Sequence, residues 1–252
     1  MALSARATCG GTSLSLAQEN TVEMREKQST IVNCGSLART LWALDEARLR
    51  GQPATGAGVR EALDWVTSRF GGEGAYRGLL CAPTTEDLRA RLAVPTGEDA
   101  SLGRGGAAHI LGEEAVRALS LWRREEGWER EQVVRSIRDE FRTLAGRPGH
   151  FCCLRCSVAR WRALTAARPD GWEDILRDGL QLLGERTIDK SGRWRGYPFY
   201  YTLLALSETP LAEVDKERRR VRAAAERVLE RQQEADIVGR FRRRALEWAT
   251  AR

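Results

Sequence analysis

Three thiols and an imidazole fall within seven residues in His150-Phe151-Cys152-Cys153-Leu154-Arg155-Cys156. Thiolates and imidazoles are the side chains zinc prefers, and closely spaced pairs at the start of a helix are one way helical proteins present them. The same residues fit two other readings. Cysteine is among the most buried residue types and packs as a small hydrophobe. A thiol in the first turn of a helix is also stabilised as thiolate by the unpaired amides and the dipole there, and Arg155 adds positive charge beside Cys156. His150 and His109 are the only histidines that could serve such a nucleophile, and His109, just past a glycine-rich segment, reads as a surface or capping residue.

A second candidate is aromatic. Tyr197-Pro198-Phe199-Tyr200-Tyr201 follows closely on Arg193, Trp194 and Arg195. Trp194, Arg195, Tyr197, Phe199 and Tyr200 form a candidate ligand-binding set, the rings taking an apolar or planar body and the arginine an anionic end. Packing between helices accounts for the same rings. The run Gly103-Arg104-Gly105-Gly106 has the glycines of a phosphate cradle. No Gly-Lys-Ser or Gly-Lys-Thr follows it and no strand precedes it, so it reads as a loop. From 237 to 252 five arginines face one acid, Glu247, while Ile237, Phe241 and Trp248 make an apolar stripe. A basic amphipathic helix of this kind caps the open end of a repeat array, or docks on a partner, on nucleic acid or on an anionic membrane surface.

The elements that must position these residues repeat along the chain. VREALDWVTSRF at 59–70 matches LRDGLQLLGERT at 176–187, and GAYRG at 74–78 matches GRWRG at 192–196, with an offset of 117 that becomes 118 in the turn. A third copy places Gly127-Trp128 on Gly171-Trp172 and GRPGHF at 146–151 on GRWRGY at 192–197, giving a unit of about 44 residues, the size of a helix hairpin. Apolar residues recur at three- and four-residue steps, as in Leu37, Leu41 and Leu44 or Leu176, Leu180 and Leu183, and glycine and proline separate the periodic stretches. The pattern predicts hairpins at about 30–70, 112–145 and 156–187, a helix from Pro198 to Glu208, two long C-terminal helices over 211–252, and a loop insertion at 82–106. In this register Cys81 and Cys153 both fall on Phe199, and Cys34 falls on Cys152. Cys34, Cys81, His150, Cys152, Cys153 and Cys156 are therefore expected on one rim, where a zinc site would need at least three sulfurs within about 4 Å of one another.

The segments FGGEGAYRG and KSGRWRGYPFYYTLLALSE resemble the glycine-tryptophan turn and following apolar helix of the prenyltransferase and squalene-cyclase repeat. The resemblance covers about half the chain. It implies an all-α fold of helix pairs packed round an axis, here a partial or small α/α-toroid with C-terminal capping helices. In that family a turn aromatic staples one pair to the next, a role that would fall to Trp194 and Tyr76, while the second copy has Pro148. The D-x-D-D acid motif of the terpene-cyclising members is absent, and Asp174 and Asp178 are spaced as helix-surface residues. The resemblance therefore carries over no catalytic residue, and fold alone does not assign function.

Composition sets the remaining bounds. With 42% hydrophobic and 30% charged residues in 252, and no apolar run near the roughly 20 residues a bilayer requires, the chain reads as a soluble helical-repeat domain over 23–252. Residues 1–22 read as a disordered extension, with Met24 an alternative start. Six cysteines without an export signal point to a reducing compartment, by default the cytoplasm. Only Lys27, Lys190 and Lys216 are lysines among 41 basic residues, a skew that reflects codon bias and makes the net charge of +6 a poor guide to a polyanionic partner. The expected function is a binding or scaffolding domain for a protein or an apolar small molecule, with a rim that holds a structural metal. Two alternatives are a toroid-superfamily enzyme acting on an isoprenoid or other apolar substrate, and a nucleic-acid binder working through 237–252.

Overall fold

The computed structural model describes residues 31–78, 80–99, 103–126, 153–233 and 236–251. Among them nine α-helices form and no strand. In chain order these are α1 Leu37–Leu49, α2 Ala57–Ser68, α3 Thr85–Arg89, α4 Gly103–Glu126, α5 Leu154–Ala167, α6 Trp172–Gly184, α7 Phe199–Glu208, α8 Val214–Leu229 and α9 Ile237–Thr250. The N-terminal extension, Met24 and the third copy of the repeat at 127–151 lie outside the described residues.

Two helices make the centre. Every residue of α4 from Ala107 to Leu119 is buried, as is every residue of α5 from Cys156 to Ala166. A helix buried all round has neighbours on every side, and α4 packs on α1, α2, α3 and α5, while α5 packs on α4, α6 and α7. The outer helices bury one stripe each. In α2 it is Val59, Ala62, Leu63 and Val66, and in α6, at positions 117 residues further on, it is Leu176, Gly179, Leu180 and Leu183. The same spacing separates Leu37 and Leu154, which open α1 and α5. Their N-caps act alike: Ser36 Oγ accepts the Arg39 amide and Cys153 Sγ accepts the Cys156 amide, each at 3.2 Å. Gly74 and Gly192, at φ 82° and 84°, make matching left-handed steps in the turns after α2 and α6.

The turn aromatics lock onto later helices. The Trp194 indole donates to Glu217 of α8 at 2.9 Å, and Tyr76 stacks on His109 of α4 with ring centroids 4.2 Å apart.

The segment read as a loop insertion holds one short helix, α3, and α4 begins within its last residues at Gly103. Its two key acids serve helix starts, where the first amides have no partner within the helix. Asp87 of α3 accepts the Leu37 amide at 2.9 Å and the Ser36 hydroxyl at 2.7 Å at the head of α1. Glu98 accepts the amides of Tyr201 at 2.8 Å and Tyr200 at 3.2 Å at the head of α7. Burial pushes the Glu98 carboxyl up, and those amide bonds pull against it.

Helix α9 lays Phe241, Ala245, Leu246 and Ala249 onto α7 and α8. No helix among the described residues is long and apolar enough to cross a membrane.

Candidate functional site

Burying α4 and α5 on all sides also buries their charged residues, and these must find partners because an isolated interior charge is very costly. The partners come from four helices. Arg162 of α5 donates from Nη1 to Glu114 of α4 at 2.5 Å and from Nε and Nη2 to Glu208 of α7 at 3.0 and 3.2 Å. Arg117 of α4 donates to the same Glu208 from Nη2 at 2.6 Å and from Nε at 3.1 Å, and from Nη1 to Asp45 of α1 at 2.6 Å. The Tyr201 hydroxyl donates to Glu114 from α7. Asp45 Oδ2 accepts no hydrogen bond and lies 3.8 Å from Arg162 Nη2.

The electrostatics follow from this geometry. For Glu208, burial pushes the carboxyl up, but the Arg117 and Arg162 guanidiniums more than offset it and bring it down to about 2. Glu114 moves the other way. Burial outweighs Arg162 and Arg117, Asp45 adds repulsion, and its carboxyl is raised. Three acids against two arginines make it reasonable that one acid holds its proton more tightly.

A second buried cluster stands beside the first. Arg160 donates to Glu113 at 2.9 Å, and His109 Nε2 lies 3.3 Å from the same oxygen. His109 is fully buried under Tyr76, which corrects its reading as a surface or capping residue. The six helical residues from Gly103 to Ala108 place it nearly two turns inside α4 rather than at its start.

The ion network floors a pocket of about 200 Å³. Four helices line it with their C-terminal halves: α1 through Asp45, Arg48 and Leu49, α4 through Arg117 and Leu121, α5 through Arg162 and Arg168, and α7 through Leu204 and Glu208. Helix α9 closes one side with Phe241 and Arg244. Arg117 and Arg162 are buried in the floor, whereas Arg168 and Arg244 are exposed at the mouth. Arg168 ends α5 in the left-handed conformation, φ 48° and ψ 56°, with its guanidinium 5.3 Å above the Trp172 ring.

The residues singled out from the sequence lie elsewhere. Cys34 is exposed before α1, Cys153 caps α5, and Cys156 is buried in its first turn. Cys81 is buried and donates to the Val66 carbonyl at 3.4 Å, and burial drives its thiol far above the usual range, so it stays protonated. Among the described residues no three His, Cys, Asp or Glu side chains stand close enough to hold a metal, so the described cysteines do not assemble the expected rim site. His150 and Cys152 lie outside the described residues. The shared start of α1 and α5 also shifts the register by one, setting Cys34 against Phe151 instead of Cys152, because the extra residue falls in the turn after the helix pair.

The aromatic set does not line this pocket. Tyr197 is buried against Trp161, and Phe199 against Trp194. Tyr200 is half-buried beneath Arg193 and Arg242, and Arg195 is exposed. The Tyr197 and Phe199 rings are packed in the core. Three arginines of α9 have partners within the domain, Arg240 pairing with Glu46, Arg242 donating to the Thr96 carbonyl at 2.7 Å and Arg243 pairing with Glu247 at 2.8 Å, while Arg244 borders the pocket. Helix α9 thus caps the helices that precede it.

No family model, no curated protein and no solved structure matches this chain.

Proposed function

We propose that the protein is a small-molecule binding domain whose pocket takes a phosphate monoester or an anion of similar charge. The observation that carries this reading is the charge of the lining. Five arginines, Arg48, Arg117, Arg162, Arg168 and Arg244, face two acids, Asp45 and Glu208.

Counting Glu114, which pairs with Arg162 behind the lining, the surplus is two positive charges, and the helix ends offset part of it. Each helix C-terminus carries roughly half a negative charge, and α1, α5 and α7 end at the pocket. What remains is a small positive excess, presented at the mouth by Arg168 and Arg244, which a phosphate monoester or similar anion complements. Guanidinium forks match phosphate geometry better than lysine does. The floor arginines are held by acids and cannot swing, so the mouth arginines Arg168 and Arg244 are the groups able to close on the ligand. Leaving Arg168 in a backbone conformation that costs an L-residue roughly 1–2 kcal/mol also supports a task for its side chain.

The test is thermal unfolding in inorganic phosphate against sodium chloride at equal ionic strength. Phosphate stabilises proteins in general by exclusion from their surface, so the decisive comparison is with Arg244→Gln, an exposed position. A midpoint that rises more for the parent chain than for the variant supports a bound anion. Equal rises in both would remove the proposal.

A further inference from the structure

The pocket has an apolar half that a bare anion would leave uncovered. Leu121, Leu204 and Phe241 line it, Leu121 one turn beyond Arg117 on α4 and Leu204 one turn before Glu208 on α7, and Leu49 borders it. Among the described residues Leu49 is the one large hydrophobic side chain that is exposed, at 37%. An exposed leucine on its own needs no explanation. This one borders the arginine-lined pocket, so whatever fills the pocket also covers it.

Size narrows the occupant. An apolar cavity of about 150 Å³ holds a benzene ring, and this pocket encloses about 200 Å³. That leaves room inside it for one ring and a compact charged group. Ligand sites of this type combine an apolar lining with a few polar groups that fix orientation.

We infer that the ligand is a ring-sized apolar molecule bearing one phosphate, an aryl phosphate in its simplest form. The phosphate lies on Arg168 and Arg244 at the mouth, and the ring lies on Leu49, Leu121 and Phe241. This rests on the phosphate reading of the pocket and adds the identity of the rest of the molecule. Hydroxyls placed against Leu121 and Phe241 would lack partners there, which costs affinity.

The experiment uses the full chain and four probes: inorganic phosphate, phenyl phosphate, glycerol phosphate and octyl phosphate, with affinities from ligand-observed NMR titration. Phenyl phosphate should bind at least about tenfold tighter than inorganic phosphate or glycerol phosphate, a factor worth ~1.4 kcal/mol. The variant Leu49→Ser, at an exposed position, should lose most of that preference for phenyl phosphate over inorganic phosphate. Equal affinities for phenyl phosphate and inorganic phosphate would overturn the apolar assignment and leave the anion pocket standing. Tightest binding by octyl phosphate would overturn the size argument, and tightest binding by glycerol phosphate the apolar one. A preference for phenyl phosphate that survives in Leu49→Ser would overturn the assigned pocket. Absence of binding by all four would remove the phosphate pocket itself.

Discussion

Gly51 and Arg168 stand 117 residues apart and hold the same left-handed step just past the ends of α1 and α5, at φ 68° and 48°. Glycine adopts that conformation without steric cost, whereas any other L-residue meets its own Cβ. The pair therefore gives an internal control for the arginine at the pocket. Arg168→Gly should be more stable than Arg168→Ala by about 1 kcal/mol in urea denaturation, because only glycine relieves the strain. Both should bind phosphate more weakly than the parent. Equal stability of the two variants would show that the backbone at 168 is unstrained.

Glu208 ties the pH behaviour to the ion network. Its carboxyl lies at about 2 in the folded protein against an ordinary value of 4.5. A carboxyl depressed on folding binds more protons when unfolded, so the stability it contributes is complete above about pH 4.5 and is lost as the pH falls towards 2. Denaturation midpoints measured from pH 6 down to pH 2.5 should fall across that window, and the fall should be shallower in Glu208→Gln. That variant should also be destabilised at neutral pH, by roughly 3–5 kcal/mol, since Arg117 and Arg162 each keep a buried charge with one partner removed. A variant as stable as the parent at pH 7 would mean the network is solvated.

Gly179 of α6 is a contact point for Trp161 of α5. A Cβ at 179 would press into the indole, meeting Cε2 at 2.8 Å, and Trp161 is itself buried and stacked on Tyr197 at 5.8 Å. Gly179→Ala should cost about 1–3 kcal/mol through overpacking, against the gain of a few tenths to about 1 kcal/mol an alanine brings to an open helical site. Stabilisation in place of loss would mean α6 sits further from α5 than described.

The thiols divide by accessibility. Alkylation of the native protein, read by peptide mass mapping, should label Cys34 within minutes and spare Cys81 and Cys156 until denaturant is added. Labelling of Cys81 at the rate of Cys34 would contradict its burial beneath α2.

Helix positions were largely legible in the sequence because period and punctuation agreed. Leu176, Leu180 and Leu183 mark the buried stripe of α6 directly, and Pro198 marks the head of α7. The functional candidates were less legible, for a physical reason. Cysteines and aromatics attract attention by type, yet Tyr197, Phe199 and Cys156 are spent on packing. The pocket is built from arginines and acids scattered over α1, α4, α5, α7 and α9, and sequence alone gives no measure of their convergence. One signal was available. Glu113, Glu114 and Arg117 interrupt an otherwise apolar helix, and Asp45 and Arg162 occupy positions of opposite charge at the repeat spacing of 117, a pattern that requires pairing if both helices are buried.

The carboxylates of Asp87 and Glu98 reach the heads of α1 and α7 across 50 and 103 residues of chain. Local turns form in microseconds, but contacts between distant residues wait for the loops between them to close. Helices α1 and α7 therefore complete their first turns only once the segment joining α2 to α4 has packed, α1 by closure within the first half of the domain and α7 by closure across both halves. A tandem array of hairpins can ordinarily be shortened one unit at a time, since each touches only its neighbours. Here Glu98 couples the first half of the domain to the head of α7 in the far half, so removal of the first half leaves the α7 amides unsatisfied, whereas α1 keeps Asp87 within its own half.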